Sequence, residues 1–281
     1  TAGNFVSKEL GYNRLEAGDA SMQTVNTGAW EETSLYTMGR LFYGYMQKYL
    51  FTATIRRDGF SGFSEKHKYG TFPSAALAWV LSEESFMQEI DWLNNLKIRA
   101  SYGSNGNRTI GRYQTLARVG GGYRYIDGSQ SPVYAQGITD LASPNLKWET
   151  TTGLNLGLDF TVLDQRFWGS LEYYNNNTEN LLYNVDIPGI SRFETFPDNL
   201  GKIHNYGVEA TLSSVNIRQP SFQWRSSLVF SLNRNELVTL LGIDSDGDGV
   251  EDDLISEELF IGESLNSIYD YYTTGELWQL D

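Results

Sequence analysis

The sharpest chemical signal in the sequence is a run of acidic residues near its C-terminal end. Aspartates stand at positions 1, 3, 5 and 9 of a short segment, with glycine at position 6 and a backbone carbonyl available at position 7. The ligand candidates are Asp244, Asp246, Asp248, Val250 and Asp252. Hard oxygen ligands at alternate positions wrap one Ca²⁺ in loops of this kind, and the glycine permits the sharp turn. The sequence therefore predicts a structural calcium site.

The acidic segment does not match an EF-hand, and it has two other interpretations. Position 12 is Ile255, where an EF-hand has glutamate, so the pattern does not predict an EF-hand. It is similar instead to the DxDxDGxxD loops of thrombospondin type 3 and dockerin repeats. The competing interpretation is a solvated acidic loop, in which the carboxylates repel one another at contact range.

A second candidate site lies in the long stretch 105–146, which is rich in Arg and Tyr. Aromatic faces can stack on sugar rings, and guanidinium groups can donate hydrogen bonds to hydroxyls. The candidates for substrate binding are Arg108, Tyr123, Arg124, Tyr125 and Tyr134. The alternative is that these side chains pack against neighbouring loops or a partner. Gly120, Gly121 and Gly122 do not form a phosphate loop, because no GK[ST] follows.

Composition and charge exclude several other classes of function. The chain has no cysteine, which rules out disulfides, thiolate metal sites and cysteine nucleophiles. Its two histidines, His67 and His204, have no spacing that indicates a Ser-His-Asp triad, so we expect no enzyme activity. The formal net charge of −14 argues against nucleic acid as a partner.

The elements that position these residues show a period of two. Leu154, Leu156 and Leu158 alternate with polar or small residues, as they would on the two faces of a strand. The pattern recurs along much of the chain. It predicts that one set of side chains points to lipid, namely Leu154, Leu156, Leu158, Phe160 and Leu171. It predicts that another set points to a lumen, namely Asn155, Asp159, Glu172 and Glu209.

Nine strands are predicted, with connections that alternate in length. The predicted strands are 33–46, 49–59, 70–82, 94–104, 147–163, 166–183, 204–216, 222–238 and 265–279. The connections after the first, third, fifth and seventh are interpreted as short, and the others as longer. This places all the long loops at one end, which is typical of outer-membrane barrels.

The soluble alternative is a β-sandwich or jelly roll, which also alternates between two faces. The predicted strands exceed the usual length of about 5–6 residues. Charged residues such as Arg99 and Glu209 occur in the middle of strands, which favours a wet lumen over a second core. Aromatic residues such as Tyr49, Trp148 and Trp224 crowd strand ends, as in interfacial girdles. The fold class predicted is therefore all-β, a transmembrane antiparallel β-barrel.

Several phrases occur in the order that one known family has them. They are NLKWETTTGLNLGLD at 145–159, YLFTATIRRDG at 49–59, FPSAALAWVL at 72–81, LKIRASYGSNGN at 96–107, YYNNNTENLL at 173–182 and NLGKIHNYGVE at 199–209. Together they resemble the SusC/RagA-type TonB-dependent transporters of Bacteroidota outer membranes. Each phrase alone is loose, but several in register are specific.

The resemblance implies part of a plugged barrel of about 22 strands. Residues 1–31 would be the tail of an extracellular loop, and residues 32–281 a partial barrel without the plug domain. An open edge in lipid leaves backbone groups unpaired, so we expect an internal piece of a longer polypeptide.

The resemblance also implies a function. The expected activity is import of oligosaccharide or oligopeptide nutrients across the outer membrane, with a SusD-like surface lipoprotein and with TonB acting through the missing plug region. A soluble or surface-anchored β-rich glycan-binding module is the alternative.

Overall fold

The computed structural model describes residues 19, 28–126, 128, 132–187, 189–191, 193 and 195–270, without the side chains of 122–126, 132 and 134. The chain divides into two units, Thr1–Glu32 and Thr33–Asp281. In the first unit, the described residues 19 and 28–32 have no regular secondary structure.

The described part of the second unit consists mainly of ten β-strands. They are β1 (Ser34–Tyr45), β2 (Tyr49–Phe60), β3 (Tyr69–Val80), β4 (Leu93–Asn107), β5 (Arg118–Ile126), β6 (Pro132–Asp140), β7 (Glu149–Val162), β8 (Phe167–Asp186), β9 (Thr195–Gln219) and β10 (Phe222–Thr239). Short 3₁₀ helices span Leu81–Glu83, Gly189–Ser191 and Ile255–Glu257. No helix among the described residues is long and apolar enough to cross a bilayer.

Eight strands form one antiparallel sheet in the order β1-β2-β3-β4-β7-β8-β9-β10. Each strand pairs with the next one along the chain, except that the β5–β6 hairpin lies between β4 and β7 in sequence and forms a sheet of its own. Within the described residues the large sheet does not close, because β1 and β10 each pair with one strand only. The predicted antiparallel architecture is therefore present as a partial sheet.

The connections divide between the two ends of this sheet. One end carries 46–48, 81–92, 163–166 and 220–221, which we name the short-connection end; the other carries 61–68, 108–148, 187–194 and 240–270. The predicted strict alternation of lengths is wrong for 81–92, which is longer than 61–68. That connection stays compact because it is a chain of consecutive turns, with hydrogen bonds Glu84 N–Leu81 O, Met87 N–Glu84 O and Ile90 N–Met87 O.

The strand register gathers apolar side chains on one face of the sheet. Two rows of paired residues cross it from strand to strand. They read Tyr43-Phe51-Leu77-Ala100-Leu156-Tyr173-Val208-Leu232 and Tyr45-Tyr49-Trp79-Ile98-Leu158-Leu171-Ala210-Phe230. Leu77 is 60% exposed and Leu228 is 62% exposed. So large an exposed apolar surface is unfavourable in water and indicates a non-aqueous neighbour.

The opposite face carries the polar set. Asn155, Asp159, Glu172 and Glu209 lie on it, and Glu172 is directly opposite Glu209 in the β8–β9 pair. The predicted division of β7, β8 and β9 into two chemically different faces is confirmed by this register, because a shift of one residue would exchange the faces.

A small core fills the polar side of the sheet near the long connections. Phe60, Phe63, Phe72, Leu146 and Trp148 are all buried, and the Phe63 and Phe72 ring centroids lie 5.1 and 5.7 Å from that of Trp148. The expectation that Trp148 belongs to an interfacial girdle is wrong, because its side chain is 7% exposed within this core. The connections 61–68 and 108–148 contribute residues to it, which shields the rings from water.

Three further strand predictions differ from the structure. No strand is predicted within 105–146, but this stretch contains the β5–β6 hairpin. Strands β8 and β9 run beyond their predicted ends. Asn180 and Gly201 have positive φ and interrupt the ladder between them. Beyond this interruption the ladder continues, for example with Leu182 paired to Asn199 and Val185 paired to Phe196. The strand expected at 265–279 is absent at 265–270, and its remainder lies outside the described residues.

The two-faced sheet generates a stability prediction. Leu156→Arg should lower the free energy of unfolding of the full-length protein by up to about 2–4 kcal/mol, the cost of arginine facing lipid near the bilayer midplane. Ser101→Arg is the matched control, since Ser101 is opposite Asn155 on the polar face of the adjacent strand. Urea titration in phospholipid vesicles measures both. Equal destabilisation by the two variants would contradict the assigned faces.

Candidate functional site

An ion-pair network ties three neighbouring strands together on the polar face. Arg99 of β4 donates from Nε to Asp159 Oδ2 of β7 at 3.0 Å and from Nη2 to Glu172 Oε1 of β8 at 2.6 Å. Lys97 Nζ lies 2.8 Å from the same Asp159 oxygen. These side chains are between 25% and 33% exposed, so the network is partly hydrated. Charged groups in mid-strand are thus satisfied by one another and by water.

Glycines allow the long side chains of this face to lie along the sheet. A Cβ at Gly157 would lie 2.7 Å from Arg99 Cζ, and a Cβ at Gly207 would lie 2.6 Å from the Tyr174 hydroxyl. Both contacts are shorter than real Cβ atoms tolerate. The absence of a side chain at each glycine therefore leaves room for the neighbouring strand's large residue to pack flat.

A groove of about 590 Å³ runs beside the network on the polar face. Most of its polar lining is hydroxyl or amide, from Thr52, Thr54, Ser74, Ser101, Ser104, Asn105, Thr151, Asn155 and Asn176. Glu172 and Glu209 contribute carboxylates. The Glu209 side chain is exposed, and its carboxylate makes no hydrogen bond or ion pair with the described part of the chain. Such a lining offers donors and acceptors to a hydroxyl-rich or amide-rich solute.

The acidic loop folds so that three of its five predicted ligand residues meet. Carboxylate oxygens of Asp244, Asp246 and Asp252 all lie within 4.8 Å of one another. Asp244 accepts hydrogen bonds from the backbone N–H groups of Gly247 and Gly249 at 2.7 and 3.0 Å. Those two glycines have φ of +77° and +86°, a conformation that other residues rarely adopt.

The fourth predicted aspartate behaves differently from these three. Asp248 is not part of the three-residue group, and its Oδ1 instead accepts from Val250 N at 2.8 Å. Hydrogen bonds from Ser245 hold the pKa of the Asp252 carboxyl below its usual range. Asp252 is therefore ionised at neutral pH, as a cation ligand must be.

Sequence reasoning missed two acids that close this loop rather than face its centre. Glu251 Oε1 accepts from Leu240 N at 2.7 Å, and Asp253 Oδ1 accepts from Ile261 N at 2.7 Å. Their positions outside the alternating pattern are the only signal that separates them from the ligand candidates.

The Arg and Tyr candidates of the long connection fall into two groups. Arg108 donates from Nη1 to Ser34 Oγ at 2.7 Å, and its guanidinium lies 4.2 Å from the Phe60 ring centroid. Arg108 is therefore engaged with the protein itself. The backbone of Tyr123, Arg124 and Tyr125 belongs to β5 and that of Tyr134 to β6, and their side chains lie outside the described residues.

Long antiparallel strands joined in sequence, with one exposed apolar face and one hydrated charged face, define the wall of a transmembrane β-barrel. The chain belongs to the TonB dependent receptor-like β-barrel family, whose model matches residues 4–278. This family consists of outer-membrane transporters and not of enzymes. Family membership therefore decides for the membrane barrel and against the soluble module.

Named relatives agree with this assignment. The chain is 38% identical to TonB-dependent receptor P3 of Formosa agariphila over 98% of its own length and 28% of that protein. It is 35% identical to TonB-dependent receptor SusC of Bacteroides thetaiotaomicron over 91% of its length and 27% of SusC. A RagAB peptide transporter structure superposes with a TM-score of 0.75 at 26% identity, covering 84% of this chain and 26% of that one. The chain thus spans about a quarter of the length of these relatives.

The ion-pair network generates a second prediction. Arg99→Met should destabilise the protein, because among the described residues Glu172 then keeps only the Asn155 amide, 3.5 Å away. An exposed ion pair contributes about 0–1 kcal/mol to the free energy of unfolding, and breaking a buried pair costs about 3–5 kcal/mol. Because this pair is partly exposed, we expect a loss between these two values. Adding Glu172→Gln should recover part of it. Unfolding of both single variants and the double variant measures the coupling; strictly additive losses would show that the pair does not interact.

Proposed function

We propose that this chain forms part of the wall of a TonB-dependent importer. The importer carries oligosaccharide or oligopeptide nutrients across the outer membrane. A SusD-like lipoprotein covers it from outside, and TonB acts through a region of the protein outside this chain. Membership in the receptor family and the likeness to SusC support TonB-dependent import, and the likeness to the RagAB peptide transporter supports an oligomeric nutrient as the cargo.

The observation that carries the proposal is the hydrated polar face behind the apolar one. A sheet that only anchored a protein in lipid would have no need of mid-strand charges such as Arg99, Asp159 and Glu172. These charges, together with the hydroxyl and amide lining of the adjacent groove, give a wall along which a polar solute can exchange hydrogen bonds with water and protein.

Substrate contact is proposed at the long-connection end. The β5–β6 hairpin carries Tyr123, Arg124, Tyr125 and Tyr134, and its base is held by an ion pair between Arg118 Nη2 and Asp140 Oδ1. The same residue types suit sugar rings and peptide chains, since aromatic faces and guanidinium donors serve both. These residue types therefore do not distinguish between the two substrates, and the growth experiment decides between them.

The function is tested in a strain that carries the full-length gene as its sole receptor for the nutrient. Deletion of the TonB-contacting segment should abolish growth on that oligomer while growth on its monomer continues. A variant with Tyr123, Arg124 and Tyr125 all changed to Ala should raise the oligomer concentration needed for half-maximal growth. Unimpaired growth of the deletion strain on the oligomer would refute TonB-dependent import.

We also propose that the acidic loop holds one Ca²⁺. Asp244, Asp246 and Asp252 fit the ion, since hard carboxylate oxygens already converge there; Asp248 and the Val250 carbonyl are the remaining candidate ligands. The ion would neutralise mutually repelling carboxylates and so order the connection 240–270. Because that connection lies at the long-connection end, it faces the cell exterior, where weak calcium sites suffice.

Calorimetry on the full-length protein in detergent tests the calcium site. The wild type should bind one Ca²⁺ with a Kd of about 10⁻⁴–10⁻³ M, and Asp246→Ala should bind at least tenfold more weakly because one ligand is lost. Glu257→Ala is the matched control, since it removes an exposed acid outside the group. Identical heats from wild type and Asp246→Ala would leave only a solvated acidic loop.

A further inference from the structure

The apolar face is interrupted by a groove of about 610 Å³ next to the short-connection end. It runs over β2, β3 and β4, and its lining includes Tyr43, Tyr49, Phe51, Leu77, Trp79 and Ala100. Ala100 stands between Leu77 and Leu156 in its row of paired residues. Because its neighbours in the row are larger, the alanine contributes to a depression in this face.

One end of this groove is polar. Tyr49 and Trp79, which line the groove, both donate to Glu84 Oε1, from the hydroxyl at 2.6 Å and from the indole Nε1 at 3.1 Å. Lys48 Nζ lies 3.1 Å from Glu84 Oε2. These donors hold the pKa of the Glu84 carboxyl below its usual range, with the Tyr49 hydroxyl contributing most. The groove thus ends at an ammonium and a carboxylate fixed side by side.

The rings at this end mark the depth of the membrane interface. Tyr49 stacks on Trp79 with centroids 6.3 Å apart, and Tyr45 stacks on Tyr49 at 6.4 Å. Tyr and Trp with one polar end and one apolar body concentrate at the headgroup level of a bilayer. The groove therefore begins at headgroup level and continues along the lipid-facing side, which is the position of a phospholipid's glycerol and upper acyl chain.

We propose that this groove binds one phospholipid with a phosphoethanolamine headgroup. The acyl chain occupies the groove beside Phe51, Leu77 and Ala100. The Lys48 ammonium has three donors, of which one meets Glu84, so others can reach the lipid phosphate. The Glu84 carboxylate has a lone pair that its three protein donors do not use, and it can accept a hydrogen bond from the lipid ammonium there. Short barrel connections face the periplasm, so the lipid belongs to the inner leaflet.

Charge complementarity selects this headgroup. Lys48 and Glu84 hold a positive and a negative charge side by side. Phosphoethanolamine carries a negative phosphate and a positive ammonium next to each other, so each can pair with one of the two residues. An anionic headgroup such as phosphoglycerol would meet Lys48 but would bring no cation to Glu84. Preference for phosphoethanolamine is therefore a consequence of both residues acting together, whereas a lone lysine would favour the anionic lipid.

Native mass spectrometry of the delipidated full-length protein tests the site, with phosphatidylethanolamine and phosphatidylglycerol of equal chain length as probes. The wild type should retain one phosphatidylethanolamine at least fivefold better than phosphatidylglycerol. Ala100→Phe, which fills the groove, and Lys48→Met should each reduce that retention about tenfold. Ala210→Phe is the matched control, since Ala210 lies on the same apolar face in β9 outside the groove.

Folding of each variant is checked by its heat-dependent shift on a denaturing gel, and Lys48→Met tests the site independently of groove filling. The proposal is overturned if Ala100→Phe and Ala210→Phe retain lipid equally well. It is also overturned if phosphatidylglycerol binds the wild type as well as phosphatidylethanolamine does, because unspecific annular contact would explain that result.

Discussion

The alternation of side chains across extended strands is the constraint on which the rest of this structure depends. Successive side chains of a strand point to opposite faces, so a fixed register commits each residue either to the apolar or to the hydrated side. In this sheet the commitment is continuous across eight strands, as the row through Phe51, Leu77, Leu156 and Val208 shows. Both the lipid contact and the hydrated wall follow from that one geometric property.

The hydrated face carries charges in mid-strand, and each of them needs a partner or water. Arg99 meets this requirement by joining Asp159 and Glu172 across three strands, while Gly157 lets its side chain lie flat. The same principle operates at the short-connection end, where Glu84 gathers donors from Lys48, Tyr49 and Trp79. Polar groups thus reinforce the sheet at places where apolar packing is not available.

Much of this fold could be predicted from the sequence, because the period of two in 154–162 and 167–173 is a local property. The family phrases are also local stretches of sequence, so they indicate the family without any knowledge of tertiary contacts. The ends of β8 and β9 could not be predicted from the sequence. Asn180 and Gly201 are residue types that usually end a strand, and only the pairing of the two strands beyond them shows that the ladder continues. Trp148 looked interfacial because burial by loops 61–68 and 108–148 is a tertiary effect.

The candidate sites were predictable to different degrees. The spacing of Asp244, Asp246 and Asp252 within one short loop indicates that they meet, but the same pattern also includes Asp248, which lies outside the group. The engagement of Arg108 with Phe60 and Ser34 joins residues far apart in sequence, and no local pattern could indicate it. The lipid groove depends on which side chains neighbour Ala100 across three strands, so it cannot be predicted without the register of those strands.

The central claim is that this sheet has one face in lipid and one in water, and spin labelling along β7 tests it most directly. Because these 281 residues contain no cysteine, single cysteines can be introduced at positions 154, 155, 156, 158 and 159 and labelled in the full-length protein in vesicles. Oxygen accessibility should be high at 154, 156 and 158, and accessibility to a water-soluble nickel chelate should be high at 155 and 159. Equal accessibility of all five positions to the chelate, or the opposite alternation, would contradict the account.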